Sequence, residues 1–283
     1  MSSPTLVHDD RALRAARLLG LSGMWGTFLT LAVLAASVFL RLSTSLDAAG
    51  NAVSSLPETV EILARLAHRI AAMGVTVLAL LAAWAALASR PMPLGRVCAV
   101  TAVVVLTIFL AVIGRYTTGY KVPIVTLGNV VGGIMLVSAF WWLHRESLPE
   151  RSSSRGTRFA WLAFAALLAQ SGLGAVTSAL AMRGERMLDP LHLSMGALVV
   201  ALTALAAWPH RKHRETCIFA LGLALLAAFQ FANGVFLAAA GAARPLAPAW
   251  LHALTACALG MGLIALAAGR RGGRPETITS DPE

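Results

Sequence analysis

Charge is what this chain has least of. Only 13% of its 283 residues are Asp, Glu, Lys or Arg, against 58% hydrophobic, and the mean hydropathy is +0.74. A soluble domain needs far more polar surface to cover itself, so that class is excluded. Carboxylates are the scarcer sign, 13 against 23 Lys and Arg, and none is expected inside an apolar run. Proton pumping, which needs titratable carboxylates at depth, is disfavoured. Cysteine is nearly absent. Cys98, Cys217 and Cys257 each lie within or beside an apolar run and no pair brackets a loop, so no structural disulfide is expected and each reads as a small buried hydrophobe. Pro123 and Pro248 stand only at the starts of runs, where proline is tolerated. The broken helices of a channel or transporter are missing.

What is present is a series of apolar runs, each long enough to cross roughly 30 Å of hydrocarbon. Eight spans are expected near Gly23–Leu42, Ala64–Ala88, Leu94–Tyr116, Val122–His144, Arg158–Met182, Leu188–Trp208, Glu215–Ala240 and Pro248–Gly269. The fold class is therefore an all-α membrane protein. The net charge of +10 would suit nucleic acid, but the basic residues sit in short clusters between the runs, so no nucleic acid is expected. One side collects Arg11, Arg14 and Arg17, then Arg90 and Arg96, Arg145 to Arg158, Arg211 to Arg214, and Arg270 to Arg274. The other has Asp47, Glu58, Glu61, Arg115, Lys121, the balanced Arg183-Gly-Glu185-Arg186 stretch with Asp189, and Arg244. The positive-inside rule puts both termini in the cytoplasm. Trp25, Trp84, Trp141, Trp142, Trp161 and Trp208 fall near that inner interface as an aromatic belt would. The first run reads as a retained helix, with no small-residue cleavage pattern at its end.

A Ser- and Arg-rich connection, residues 145–157, divides the chain into equal halves. The expected organisation is a cytoplasmic tail (1–22), a four-helix bundle (23–144), the linker, a second four-helix bundle (158–269) and a carboxy-terminal tail (270–283). An even number of spans per half gives both the same orientation, as an internal duplication would.

An imidazole inside a span is costly and marks a functional candidate. Of seven histidines, His8, His144, His210 and His213 read as solvated residues of loops and tails. His68, His192 and His252 instead open the second, sixth and eighth spans, at one depth near the outer face. His192 and His252 are 60 residues apart, and 61 residues after His68 comes Asn129, at the start of the fourth span. The duplication thus predicts a four-position set. Two facing imidazoles on even-numbered helices of a bundle are what a low-spin haem iron takes as axial ligands. Ala72, Gly133, Gly196 and Ala256, one turn further on, leave room for a flat macrocycle. An interhelical histidine hydrogen bond is the plainer alternative. Zinc is disfavoured, because the histidines lack the usual spacing and have no Asp, Glu or Cys nearby.

Several short motifs resemble those of the haem A synthase family. They are Arg41-Leu42-Ser43 closing the first span, His68-Arg69 opening the second, and Gln170-Ser-Gly-Leu-Gly-Ala-Val-Thr in the fifth. Leu191-His192, Gln230 with Gly234, and Trp250-Leu251-His252 follow in order. The resemblance covers nearly the whole chain. It implies eight spans from a duplicated four-helix bundle in a bacterial inner (cytoplasmic) membrane, with one haem pocket per half. His192 and His252 would hold a permanent haem b. His68 would face the substrate, haem o, one methyl of which is oxidised to a formyl group to give haem A. The protein would then be an oxidoreductase. Its partners would be haem o synthase, cytochrome oxidase subunits and a quinol or other electron donor, with a homo-oligomer allowed.

Two positions depart from that pattern. Asn129 stands where the family's second amino-terminal ligand histidine is expected, and Arg65 replaces an acidic residue three positions before His68; Glu58 and Glu61 have the wrong spacing. The outer-loop cysteine pair of some members is also absent. Arg41, Arg65 and Arg69 suit haem propionates, since guanidinium matches planar carboxylates. Two readings stay open: a variant haem A synthase, or a non-catalytic haem b protein for oxidase assembly, haem handling or electron transfer.

Overall fold

The computed structural model describes residues 4–46, 52–89, 92–115, 123–148, 157–181, 187–212, 214–240 and 245–267. His213, most of the linker, the carboxy-terminal tail and the loop charges Asp47, Arg90, Lys121, Arg183, Glu185, Arg186 and Arg244 lie outside these, as does the side chain of His8. The described residues form helices α1 (Pro4–Leu42), α2 (Glu58–Ala88), α3 (Leu94–Arg115), α4 (Pro123–Glu146), α5 (Thr157–Ala181), α6 (Asp189–Ala207), α7 (Arg214–Ala240) and α8 (Leu246–Ala267). All eight are long and apolar enough to cross a membrane. The chain is an all-α, multi-pass membrane protein.

Several boundaries differ from expectation. α1 begins at Pro4, not near Gly23, because Ala and Leu between the arginines of residues 11–19 are strong helix formers. Ala15 and Leu19 are buried, and Leu19 packs in a cluster with Ala82, Ala85, Ala99 and Leu143. The supposed tail is in part the foot of the first helix. α2 begins at Glu58 after Pro57, with Glu58 and Glu61 in its first turn, where carboxylates complement the helix dipole. The helix ends also take in Glu146 and Asp189, so carboxylates do reach the span termini. Glu146 is buried and accepts from Trp142 Nε1 at 3.3 Å, and a Cβ on Gly95 would stand 2.7 Å from its Oε2. The carboxylate thus lies at the amino terminus of α3. A short hairpin between α1 and α2, β1 (Thr44–Leu46) paired with β2 (Ala52–Ser54), is new. Ser55 fastens it, donating from N to the Ser43 carbonyl at 2.8 Å.

α1 packs on α2 and α4, and α3 on α2 and α4, closing a ring; α5 and α7 flank α6 and α8 in the same way. The rings meet where α4 touches α5 and α8, and where α1 touches α8. There Trp250 Nε1 donates to the Ala35 carbonyl at 2.9 Å. The main apolar core, including Val137, Leu167, Leu259 and Leu263, fills this junction.

Three other expectations are corrected. His210 is buried, in a tight 3-10 turn, Trp208–Lys212, that folds back between α6 and α7. His144 is half-buried, and its Nδ1 meets the Gly20 carbonyl at 3.0 Å. Cys98 faces out of the bundle and Cys217 is only half-buried; Cys257 alone is enclosed. In a bilayer, lipid accepts an outward thiol as readily as a core does.

Close approach of α1 to α4 depends on Gly23, where a Cβ would lie 2.8 Å from His144 Cα. Gly23→Val is expected to destabilise the protein by about 1–3 kcal/mol through overpacking. Gly222→Ala, with nothing within 4 Å, should be nearly silent. Unfolding in detergent, followed by helical signal, compares the two.

Candidate haem site

Each site histidine is positioned by the helix that precedes its own. His192, in the first turn of α6, brings Nδ1 to 3.0 Å from the backbone carbonyl of Gln170 on α5. A carbonyl only accepts, so Nδ1 donates to it and the lone pair of the neutral ring lies on Nε2. The Gln170 side-chain amide nitrogen stands 3.5 Å from that Nε2. On α8, His252 Nε2 meets the Gln230 amide nitrogen at 3.3 Å, and Thr255 Oγ1 donates to Gln230 Oε1. Two glycines make these approaches possible. A Cβ on Gly174 would lie 2.8 Å from His192 Cε1, and one on Gly234 would lie 3.1 Å from His252 Cε1.

The two arrangements are copies. Gln170, Gly174 and His192 recur as Gln230, Gly234 and His252 at a constant offset of 60 residues. Sequence reasoning matched the histidines by that offset but left the glutamines out of the site, although the same shift finds them. In the first half, His68 Nδ1 meets the Val33 carbonyl on α1 at 3.2 Å and donates to it, so the lone pair of the neutral ring lies on Nε2. Among the described residues no side-chain amide is bonded to it. Asn129 follows Thr107 by the same 22 residues that separate each Gln from its His. Ala111 then takes the glycine position. The first half contributes one imidazole, His68, to the site and has no complete copy of the arrangement among the described residues.

The rings of His192 and His252 lie edge-on to each other, with centres 6.4 Å apart and planes at 68°. A metal bonded to one nitrogen of each ring at about 2 Å holds the centres roughly 6 Å apart. The spacing fits two axial imidazoles. Both line a cavity of ≈ 1110 Å³, whose wall also includes His68, Asn129, Arg41, Arg65 and Arg69. That is at the upper end of small-molecule sites, roughly 300–1,000 Å³. The structure therefore brings every site residue expected from sequence to one continuous cavity, where separate pockets were expected. Asp189, one turn before His192, also lines it and is its one carboxylate among the described residues.

Two details are corrected by packing. Gly133 is small because Leu34 of α1 occupies the space beside it, not to admit a macrocycle. Ala72 and Ala256 do line the cavity, and Gly196 faces Phe231. Arg65 is occupied by Glu61, its Nε donating to Glu61 Oε1 at 2.9 Å. The acidic group nearest His68 on its own helix is thus one turn further out and neutralised. No group of three or more His, Cys, Asp or Glu suited to a bare metal ion occurs among the described residues. The chain matches no model of a known protein family and no curated protein.

Proposed function

We propose that this protein binds haem b between α6 and α8 through His192 and His252, and that it is a haem A synthase-type membrane oxidoreductase. The observation that carries the reading is the pair of imidazoles 6.4 Å apart, each backed by a glycine and a glutamine in the same arrangement. A bound haem supplies redox chemistry; the protein's residues orient, enclose and balance it. The Gln170 carbonyl keeps His192 in the ligating tautomer, a backing group that raises ligand basicity. Arg41 and Arg69 offer guanidinium groups to acidic substituents at the cavity wall, whereas Arg65 would have to leave Glu61 to do so. His68 faces the remaining space, where haem o would be held for oxidation of its methyl group. Haem o synthase, oxidase subunits and a quinol donor are the partners this activity requires.

The Asn129 and Arg65–Glu61 arrangement favours a second reading, a non-catalytic haem b protein for oxidase assembly or electron transfer. Pigment extraction separates the two. Purified protein is expected to yield haem b, and a synthase should also yield haem o or haem A from cells that make haem o. Protein free of all haem would overturn both.

We place the chain in a bacterial inner membrane with both termini cytoplasmic, on the alternation of basic clusters. Reporter fusions should give an outer signal at Gly50 and Arg186 and an inner one at Ser153. A cytoplasmic signal from Gly50 would refute the arrangement.

A further inference from the structure

In the first ring of helices α1 and α3 separate α2 from α4, so His68 and Asn129 line the cavity from diagonal helices. His68 is half-buried and its Nδ1 donates to the Val33 carbonyl, which leaves the neutral ring one acceptor, Nε2. The half-buried Asn129 side chain makes no hydrogen bond among the described residues, and an amide has both N–H donors and an oxygen to offer. Thr126, one turn before it on α4, lines the cavity too. Around them the wall is apolar, with Leu34, Leu110 and Ile134. This side also reaches the lipid-facing surface. Ile70, Met73, Val77 and Leu80 form an exposed stripe along α2 at the spacing of one helix face. Met73, 62% exposed, belongs to that stripe and lines the cavity as well. Ala111 and Gly114 of α3, both exposed, line it too. The cavity thus opens sideways between α2 and α3, at bilayer depth.

We propose that this side binds the head of an isoprenoid quinol, whose apolar tail leaves into lipid between α2 and α3. The electron-transfer step rests on the haem b reading; the binding does not. A quinol ring carries hydroxyl groups at its two ends, so one donates to His68 Nε2 while the other meets the Asn129 amide across the ring of helices. A few polar groups set in an apolar wall are how a small-molecule site fixes orientation. The oxidised form is held less well. A quinone has carbonyls, which only accept, and with Nδ1 committed to Val33 the neutral His68 ring has no N–H left to give. The bond from the Asn129 amide survives. The site therefore favours quinol and lets the product go. Oxidation of one quinol yields two protons, which pass to water at the mouth beside the exposed Arg65. It also yields two electrons, which reduce ferric haem b in two protein molecules. In the synthase reading, quinol and haem o take this side of the cavity in turn.

The test uses full-length protein in detergent and a decyl-tailed benzoquinone, oxidised or reduced, with binding read by calorimetry against protein-free micelles. The quinol is expected to bind about ten-fold tighter than the quinone, the effect of one hydrogen bond whose loss leaves a buried acceptor unpaired. His68→Phe should erase that preference by weakening the quinol alone. Asn129→Leu should weaken both forms and leave the preference in place. The dimethyl ether of the quinol tests the same bond without altering the protein, and should bind no better than the quinone. Failure of both forms to bind, a preference that survives His68→Phe, or an ether bound as tightly as the quinol would overturn the proposal. A second arm adds quinol anaerobically to ferric protein and follows the low-spin spectrum. Reduction of two haems per quinol is expected, slowed about ten-fold in His68→Phe at sub-saturating quinol. Quinol that binds without reducing the haem would overturn its role as donor. Protein that holds no haem would overturn the haem reading instead, and the binding arm would still decide the quinol site.

Discussion

Protein carrying both His192→Ala and His252→Ala is expected to purify without haem b, its occupancy reduced by more than about 100-fold. Removing a backing group alone costs 10–100-fold in metal affinity, and here both ligands go. The cavity would survive, since all eight helices contribute to its walls, and helical content should be unchanged. The optical spectrum of the purified protein, normalised to peptide absorbance, makes the measurement. Lys212→Ala, an exposed basic position, is the control. His210→Ala is unsuitable for that purpose, because His210 is buried and its loss would disturb the turn between α6 and α7. A low-spin haem spectrum persisting in the double variant would remove the ligand assignment altogether.

How much of this was legible in the sequence follows from what a membrane protein encodes by polarity. The eight spans were legible, because length and hydropathy answer directly to bilayer thickness. His68, His192 and His252 were legible because an imidazole among Leu and Ala stands out. Which apolar residue faces the interior was not. Lipid and protein core are equally apolar, so helix faces lose their amphipathic signature. For that reason Gly133 was assigned to the cavity when it serves the contact with Leu34. His210 was assigned to solvent because Pro209, Arg211 and Lys212 around it look like a loop, yet the tight turn carries it inward. The start of α1 was missed because arginines suggested a tail, although the intervening Ala and Leu favour helix. Gln170 and Gln230 were visible as polar residues in apolar runs. Their role became plain only when the helix before each histidine was seen to supply its hydrogen-bond partners.

The second large effect expected is a gain. Arg65→Glu with Asn129→His should give the first-half side of the cavity a second imidazole beside His68 and a carboxylate one turn before it. If the native first half is degenerate, haem content should rise toward two per chain, with haem A appearing in cells that supply haem o. The structure adds two demands to that experiment. Glu61 now neutralises Arg65, so a carboxylate introduced at position 65 would face a like charge at i,i+4 and repel it by a few tenths of a kcal/mol. Glu61→Gln removes that conflict. The other demand is room. At the positions matching Gly174 and Gly234 the α3 helix has Ala111, so an imidazole at position 129 would meet a methyl group where the other two rings meet none. Ala111→Gly should therefore raise the second haem's occupancy beyond what Asn129→His achieves alone. If haem content stays at one per chain in the combined variant, the first half lacks more than its ligands, and its cavity serves another purpose. If the unmodified protein already restores haem A to a strain lacking its own synthase, His68 suffices with Asn129 opposite it. One strong ligand would then be what this half requires, because it leaves the sixth position open for the chemistry.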